Sequence, residues 1–268
     1  MSRIDHTFAV CAYGESPFLE ECLASLEAQS AGASKIILCT STPNAAIERA
    51  ASEHNFPLFV NPEQGGIAAD WNFAYRCADT PYLTLAHQDD IYEPDYAARI
   101  LAGLRAAPDT LIAFTSYYEI QKGQKVYAEQ FLNLRLKRLL LQPLRVPALQ
   151  TSRWVRRRIL SLADPIGCPA VTYVKANLPY PVFTAPLSCD LDWYAWEQLS
   201  RLRGRFLYVD SPLMGHRIHE ASASTATIGE NCGRRTQDLE VMKLFWPGPV
   251  AKVINRVYSL SQRCRGKG

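Results

Sequence analysis

The sequence predicts an α/β fold: a mostly parallel central sheet flanked by helices, with basic amphipathic helices added to it. Three observations predict it. Apolar, β-rich runs alternate with stretches of helical periodicity from Thr7 to Tyr118. Turn and cap residues punctuate the changes of period, as at Gly14, at Ser41-Thr42-Pro43-Asn44 and at Gly65-Gly66. One apolar run, Tyr82-Leu83-Thr84-Leu85-Ala86, leads through His87-Gln88 into the adjacent carboxylates Asp89 and Asp90. Strands that alternate with helices pair in parallel through right-handed crossovers, and an open α/β sheet binds ligands at the carboxyl ends of its strands.

In chain order, Thr7–Tyr13 reads as a buried strand. Ser16 is the expected N-cap and Pro17 the first position of a helix carrying Phe18, Leu19, Cys22, Leu23 and Leu26 on one face. Lys35–Thr40 is the second strand, and Ser41–Asn44 caps a helix over Ala45–His54. Pro57–Val60 is a short third strand. Gly65-Gly66 opens the helix Ala68–Cys77, either as a phosphate cradle or as a plain turn. Tyr82–Ala86 is the fourth strand, Asp95–Ala106 a helix, Leu111–Tyr118 the fifth strand and Gln121–Gln124 a hairpin turn. Further on, Ala170–Val174 and Arg205–Val209 read as strands. A helix starts at Ser188–Trp193, with Ser188 or Asp190 as its N-cap. The segment His216–Ser224 is polar and loop-like, and Val253, Ile254, Val257 and Leu260 mark a surface helix in the tail.

Composition narrows the class. With 268 residues, 48% hydrophobic and 21% charged, the chain reads as a soluble globular protein with room for a sizeable core. No apolar run reaches the roughly 18 residues of a membrane span, and Met1–His6 lacks a signal-peptide pattern. The 8 cysteines form no CxxC pair, which argues against a zinc site and for a reducing, cytoplasmic setting. Charge is divided: residues 1–129 carry 8 basic and 17 acidic side chains, residues 130–268 carry 21 and 9. Residues 130–160 hold 8 basic residues and no acid, interleaved with leucines and Trp154. Such a segment fits an anionic membrane interface, a core-facing helix with a solvated basic face, or nucleic acid; the absence of acids favours the membrane.

Asp89 and Asp90 at a strand end suit Mg²⁺ or Mn²⁺ carrying a diphosphate, or alternatively a helix cap with a first-turn acid. The order of motifs decides between such readings, because it resembles the family 2 glycosyltransferases of the GT-A (Rossmann-like, nucleotide-diphospho-sugar transferase) fold. Over roughly residues 6–225, five pieces carry the likeness. They are Val10-Cys11-Ala12-Tyr13-Gly14-Glu15 with the helix after it, Asn61…Gly65-Gly66-Ile67-Ala68-Ala69-Asp70-Trp71-Asn72, and His87-Gln88-Asp89-Asp90 in the place of the DxD motif. The other two are Cys189-Asp190-Leu191-Asp192-Trp193 and Arg217-Ile218-His219-Glu220-Ala221-Ser222-Ala223-Ser224.

The resemblance implies an inverting transfer in which Asp190 is the base, with Asp192 as its fallback. It implies a divalent cation, Mg²⁺ or Mn²⁺, on Asp89, Asp90 and His219. The nucleotide sugar is expected at Ala12, Tyr13, Glu15, Thr40, Ser41 and Gly66, and at Asp70, Asn72, His87, Gln88 and Arg217. Many members build surface polysaccharide or lipopolysaccharide, so the expected acceptor is a glycan or a lipid-linked one. The expected location is cytoplasmic, peripheral at the inner face of the plasma membrane, with an anionic membrane surface as partner and no nucleic acid. Residues 1–225 would form the transferase domain, with 130–160 on its acceptor side, and 226–268 a basic helical extension. Three departures stand out: His87 replaces the first DxD acid, Cys39-Thr40-Ser41-Thr42 lacks an acid after the second strand, and Cys189 replaces the usual Glu. Asp89, Asp190 and His219 are kept, which implies an active enzyme. Two other classes fit parts of the chain: a phosphoester hydrolase using His87, Asp89, Asp90, His216 and His219, and a non-catalytic glycan- or membrane-binding module.

Overall fold

A computed structural model of the chain describes residues 5–30, 34–219 and 231–263. Its parallel half is made of β1 (His6–Ala12), β2 (Ser34–Thr40), β3 (Leu58–Val60) and β4 (Tyr82–His87), in the order β3-β2-β1-β4. The crossovers are α1 (Leu19–Glu27), α2 (Ala45–Glu53) and α3 (Ile67–Cys77). Beyond β4 the sheet turns mixed. β8 (Val171–Val174) lies antiparallel between β4 and the long β6 (Thr110–Gln121). β9 (Arg205–Ile218) runs parallel to β6, and the two-residue β5 (Ile91–Tyr92) closes the edge antiparallel to β9. β7 (Gln124–Val126) is a hairpin on β6, turned at Lys122 and Gly123, both of positive φ.

The sheet is covered on both faces, so its strands alternate between two cores. Phe8 and Val10 pack with α1, α2 and α4 (Tyr96–Ala106), whereas Ala9 between them belongs to the opposite core. That second core gathers α3, α6 (Arg153–Leu160) and α7 (Leu191–Ser200), with α8 (Asn231–Lys243) and α9 (Gly248–Arg263). Val241, Met242 and Ala251 of the C-terminal helices are fully buried there.

Some expectations are corrected. α1 starts at Leu19, not at Pro17: the Ser16 hydroxyl accepts from the Phe18 N–H at 3.2 Å, and this turn delays the helix. Ser188 is not the cap of α7, because Asp190 takes the position before it. His216-Arg217-Ile218 is strand, not loop, because pairing with Glu119-Ile120-Gln121 of β6 overrides its polar composition. Asn44 does cap α2, accepting from Ala46 and Ile47 N–H at 3.0 Å each.

The basic stretch 130–160 forms α5 (Leu132–Leu141), two 3-10 turns and α6. Part of its charge is spent inside. Arg156 is fully buried, stacked 5.0 Å from the Phe206 ring and donating to the Leu202 carbonyl at 2.7 Å. Arg157 pairs with the buried Glu197 and donates to the Leu244 carbonyl at 2.9 Å. Arg158 lies over Trp154 and Trp246. The outward side of α5 differs: Leu132, Leu136 and Leu139 are exposed at helical spacing.

Candidate active site

The carboxyl edge of the parallel strands carries the first part of the site. Register pairs Cys11 with His87, so the residues after β1 and β4 meet. Gln88 accepts from the Tyr13 N–H at 3.0 Å and donates to the Tyr13 carbonyl at 2.8 Å. Ala12 is buried, while Tyr13 and Glu15 are exposed above it. Thr40 ends β2 and accepts from the Thr42 N–H at 3.0 Å; the Thr42 hydroxyl accepts from the Gly14 N–H at 2.8 Å. Asp70 receives the Ser41 hydroxyl at 2.8 Å and the Asn61 amide at 2.9 Å. Gly66 precedes α3 at φ +78°, a conformation that favours glycine. Asn72 faces elsewhere: its amide donates to the Phe183 carbonyl at 2.8 Å and accepts from Val182 and Phe183 N–H at 3.1 Å each. It is a clamp on the segment leading to α7.

At the end of β4, His87, Asp89 and Asp90 offer ligand atoms within 4.8 Å of one another. Asp90 is fully buried, and its Oδ1 accepts from the Arg217 N–H at 2.8 Å and lies 3.2 Å from His216 Nδ1. Its Oδ2 and the Nε2 of His87 are buried with no hydrogen-bond partner among the described residues. His87 stacks on Trp71 at 5.3 Å. Asp89 Oδ2 lies 2.9 Å from His219 Nε2. Burial pushes the Asp89 carboxyl up, but His87, His219 and His216 outweigh it and hold it below its ordinary value. Arg217 is 7% exposed; its guanidinium meets Glu21 at 2.5 Å, the Asp89 carbonyl at 2.8 Å and the Phe18 ring at 4.4 Å. Its charge is therefore engaged within the protein.

β8 runs antiparallel to β4, so the loop before it, 164–170, returns to this same edge. Asp192 acts electrostatically on Asp164 and Cys168 of that loop, which brings the start of α7 there. Asp190 occupies the N-cap position of α7 in the left-handed region, φ 52°, yet its side chain caps nothing. That side chain is 6% exposed, lies 3.9 Å from Arg234, and keeps Oδ2 buried with no hydrogen-bond partner among the described residues. Asp192 Oδ1 accepts from the Trp193 N–H at 2.9 Å.

The sequence profile described as "Glycosyl transferase family 2" matches residues 7–162, more than half of the chain. The chain belongs to that family. Solved structures share its fold. The mannosyltransferase PcManGT from Pyrobaculum calidifontis, in complex with GDP-Man and Mn²⁺, superposes with a TM-score of 0.64 at 15% identity, covering 100% of this chain and 76% of that one. TarS 1–349 of S. aureus, in complex with UDP-GlcNAc, gives 0.59 at 14% identity, covering 94% and 70%. No curated protein sequence matches the chain. As a family 2 glycosyltransferase with a GT-A fold, it is an enzyme that uses a nucleotide-sugar donor.

Sequence reasoning missed several members of this site. His216 lies in a segment of loop-like composition and is named only in the hydrolase reading; strand pairing brings it to Asp90. Trp71 lies inside the Asn61…Asn72 motif, and its ring packs on His87 and Phe183. Asp164, Lys137, Arg234 and Asp238 gather electrostatically around Asp190 and Asp192 from three different segments, and no local pattern marks them. Glu220–Ser224 of the fifth motif lie outside the described residues.

Proposed function

We propose that the chain transfers a sugar, with inversion, from a nucleoside-diphosphate sugar to a glycan or lipid-linked acceptor, with Asp190 as the base. The observation that carries this reading is Asp190 itself: a buried carboxylate in a left-handed N-cap position whose side chain caps nothing, beside the loop 164–170 that returns to the edge where Asp89 lies. A carboxylate that only capped α7 would have taken the helix N–H groups. The acceptor hydroxyl bonds to the anomeric carbon as the bond to the diphosphate oxygen breaks, and its proton passes to Asp190. Gln88 and Tyr13 fasten the two strand ends beneath the nucleotide, and Ser41 and Asn61 aim Asp70 at it.

His87, Asp89 and Asp90 fit a divalent cation, Mg²⁺ or Mn²⁺: their ligand atoms cluster, and two of them are buried without a partner among the described residues. Such a cation, when bound, neutralises charge developing on the leaving diphosphate. His219 holds Asp89 in place, and His216 with the Arg217 N–H holds Asp90.

The acceptor side points to a membrane surface. No helix among the described residues is long and apolar enough to cross one. α5 presents Leu132 and Leu139, 70% and 64% exposed, and Trp154 in the first turn of α6 is 67% exposed. α9 presents Val253 and Val257, 61% and 65% exposed, among the exposed Lys252 and Arg256. Apolar side chains among cations fit peripheral binding to anionic lipid at the cytoplasmic face.

The test is a donor screen with UDP-, GDP-, dTDP- and CMP-sugars in Mn²⁺, Mg²⁺ or EDTA, read by thermal shift and nucleotide release. The expected result is metal-dependent stabilisation by one nucleotide class with slow release. No response to any nucleotide with either metal would overturn the reading.

A further inference from the structure

Asp190 meets the C-terminal helix α8 at several points. Gln237 Oε1 accepts from the N–H groups of Ser188 and Cys189 at 2.9 and 2.8 Å, and its amide donates to the Ser188 hydroxyl at 2.8 Å. These bonds fix the two residues that lead into Asp190. On the same helix, Arg234 one turn before Gln237 lies 3.9 Å from Asp190, and Asp238, the residue next to Gln237, is 1% exposed. The Asp238 carboxyl lies within hydrogen-bonding reach of the Asp190 carboxyl. Oδ2 of Asp190 and Oδ1 of Asp238 are both buried and receive no donor from the described residues. Two buried carboxylates facing each other repel and have no donor between them, and one shared proton supplies both lacks.

The geometry points to Asp238 and Arg234 as positioning residues for Asp190: Asp238 shares one proton with it, and Arg234 balances the negative charge that remains. This rests on the reading of Asp190 as the base. In the reactive form the shared proton is on Asp238, which donates it as a hydrogen bond to Asp190. Asp190 then takes the acceptor hydroxyl proton while the new glycosidic bond forms and the nucleoside diphosphate leaves. The pair ends with two protons and returns one to solvent.

The surroundings of the pair support a retained proton. Asp192 on α7 adds negative charge, Asp164 in the preceding loop is itself pushed well up by burial, and Arg234 on α8 and Lys137 on α5 oppose the charge. Tyr258 of α9 completes the group, its ring 5.9 Å from Trp193. Burial first, and Asp238 second, push the Asp190 carboxyl up to about 8; burial raises Asp238 also. The two titrate as a pair, so both rises express one retained proton.

Carboxyl titration decides the matter without relying on turnover. The full chain, labelled with ¹³C at aspartate Cγ, is followed by NMR beside Asp190→Asn and Asp238→Asn, both isosteric. The expected result is a carboxyl step near pH 8 that vanishes in Asp190→Asn and falls by about one unit or more in Asp238→Asn. Arg234→Gln should move the same step upward. The acid limb of the pH profile for nucleotide release, with the donor that the screen selects, should shift in the same directions. Both carboxyls titrating below about pH 5 would overturn the inference, as would a high step surviving both Asn variants, which would belong to Asp164. Full transfer by Asp190→Asn would defeat the base reading and leave the titration to judge the pair. A dead Asp190→Asn beside ordinary titration would defeat the pair alone.

Discussion

The two sides of the site are built differently. The donor side comes from β1, β2 and β4 and from the residues just past their ends. Its contacts run between the ends of neighbouring parallel strands, as in Tyr13 with Gln88 and Gly14 with Thr42, and from the end of β2 to the start of α3, as in Ser41 with Asp70. The base side is assembled from α5, the 164–170 loop, α7, α8 and α9, elements spread over more than a hundred residues of chain. The difference is one of topology. Parallel strands deliver neighbouring ends to one edge automatically, whereas a carboxyl cluster around Asp190 exists only if distant helices pack.

The comparison is broken most directly at Asp190. Asp190→Asn should lower turnover by about 10²–10⁴-fold while nucleotide binding stays unchanged, since the donor side shares no bond with it. Steady-state rates together with calorimetry of nucleotide binding check this. On the donor side, His219→Ala frees Asp89 to rotate, and Mn²⁺-dependent nucleotide binding should weaken about 10–100-fold, read by titration calorimetry. A rate effect with unchanged binding would move His219 to the base side.

The outer face of the base side is tested with Leu132→Ser, Leu136→Ser and Leu139→Ser combined. Sedimentation with vesicles containing phosphatidylglycerol should show roughly ten-fold weaker binding or more, with wild-type binding itself falling as salt rises. Equal binding by the variant would place the membrane contact elsewhere.

The smallest effect sharpens the contrast through stability. The Asp190 carboxyl titrates near 8 when folded and at an ordinary carboxylate value when unfolded. Between those values the folded chain binds more proton, so stability is greatest below the window and falls as pH rises through it. Asp190→Asn removes that loss. Its Tm should exceed that of the wild type at about pH 9, by about 2–4 °C for each kcal/mol regained, and converge with it near pH 5.

Much of the donor side was legible beforehand. β1, β2, β4, the Asn44 cap and the glycine-led start of α3 follow from period and turn chemistry, which act within a few residues. Elements whose form depends on a distant partner were not. The strand identity of His216-Arg217-Ile218 comes from β6, about a hundred residues earlier. Asn72 belongs to a recognisable motif, yet only the folded chain shows that it grips Val182 and Phe183. The basic stretch read as one amphipathic surface, but Arg156 and Arg157 point inward to Leu202, Glu197 and Leu244 while the leucines of α5 face out.

By itself the sequence determined the alternation of strands and helices, the order of the motifs, and the arrival of Asp89 and Asp90 at a strand end. These follow from local periodicity and from the parallel topology that periodicity compels. Only the tertiary structure decided which carboxylates face one another. Placing Arg234 and Asp238 against Asp190 requires α8 to seat Val241 and Met242 in the core behind α6 and α7. That packing closes long loops, and the burial it creates is what raises the Asp190 carboxyl; no spacing along the chain encodes either.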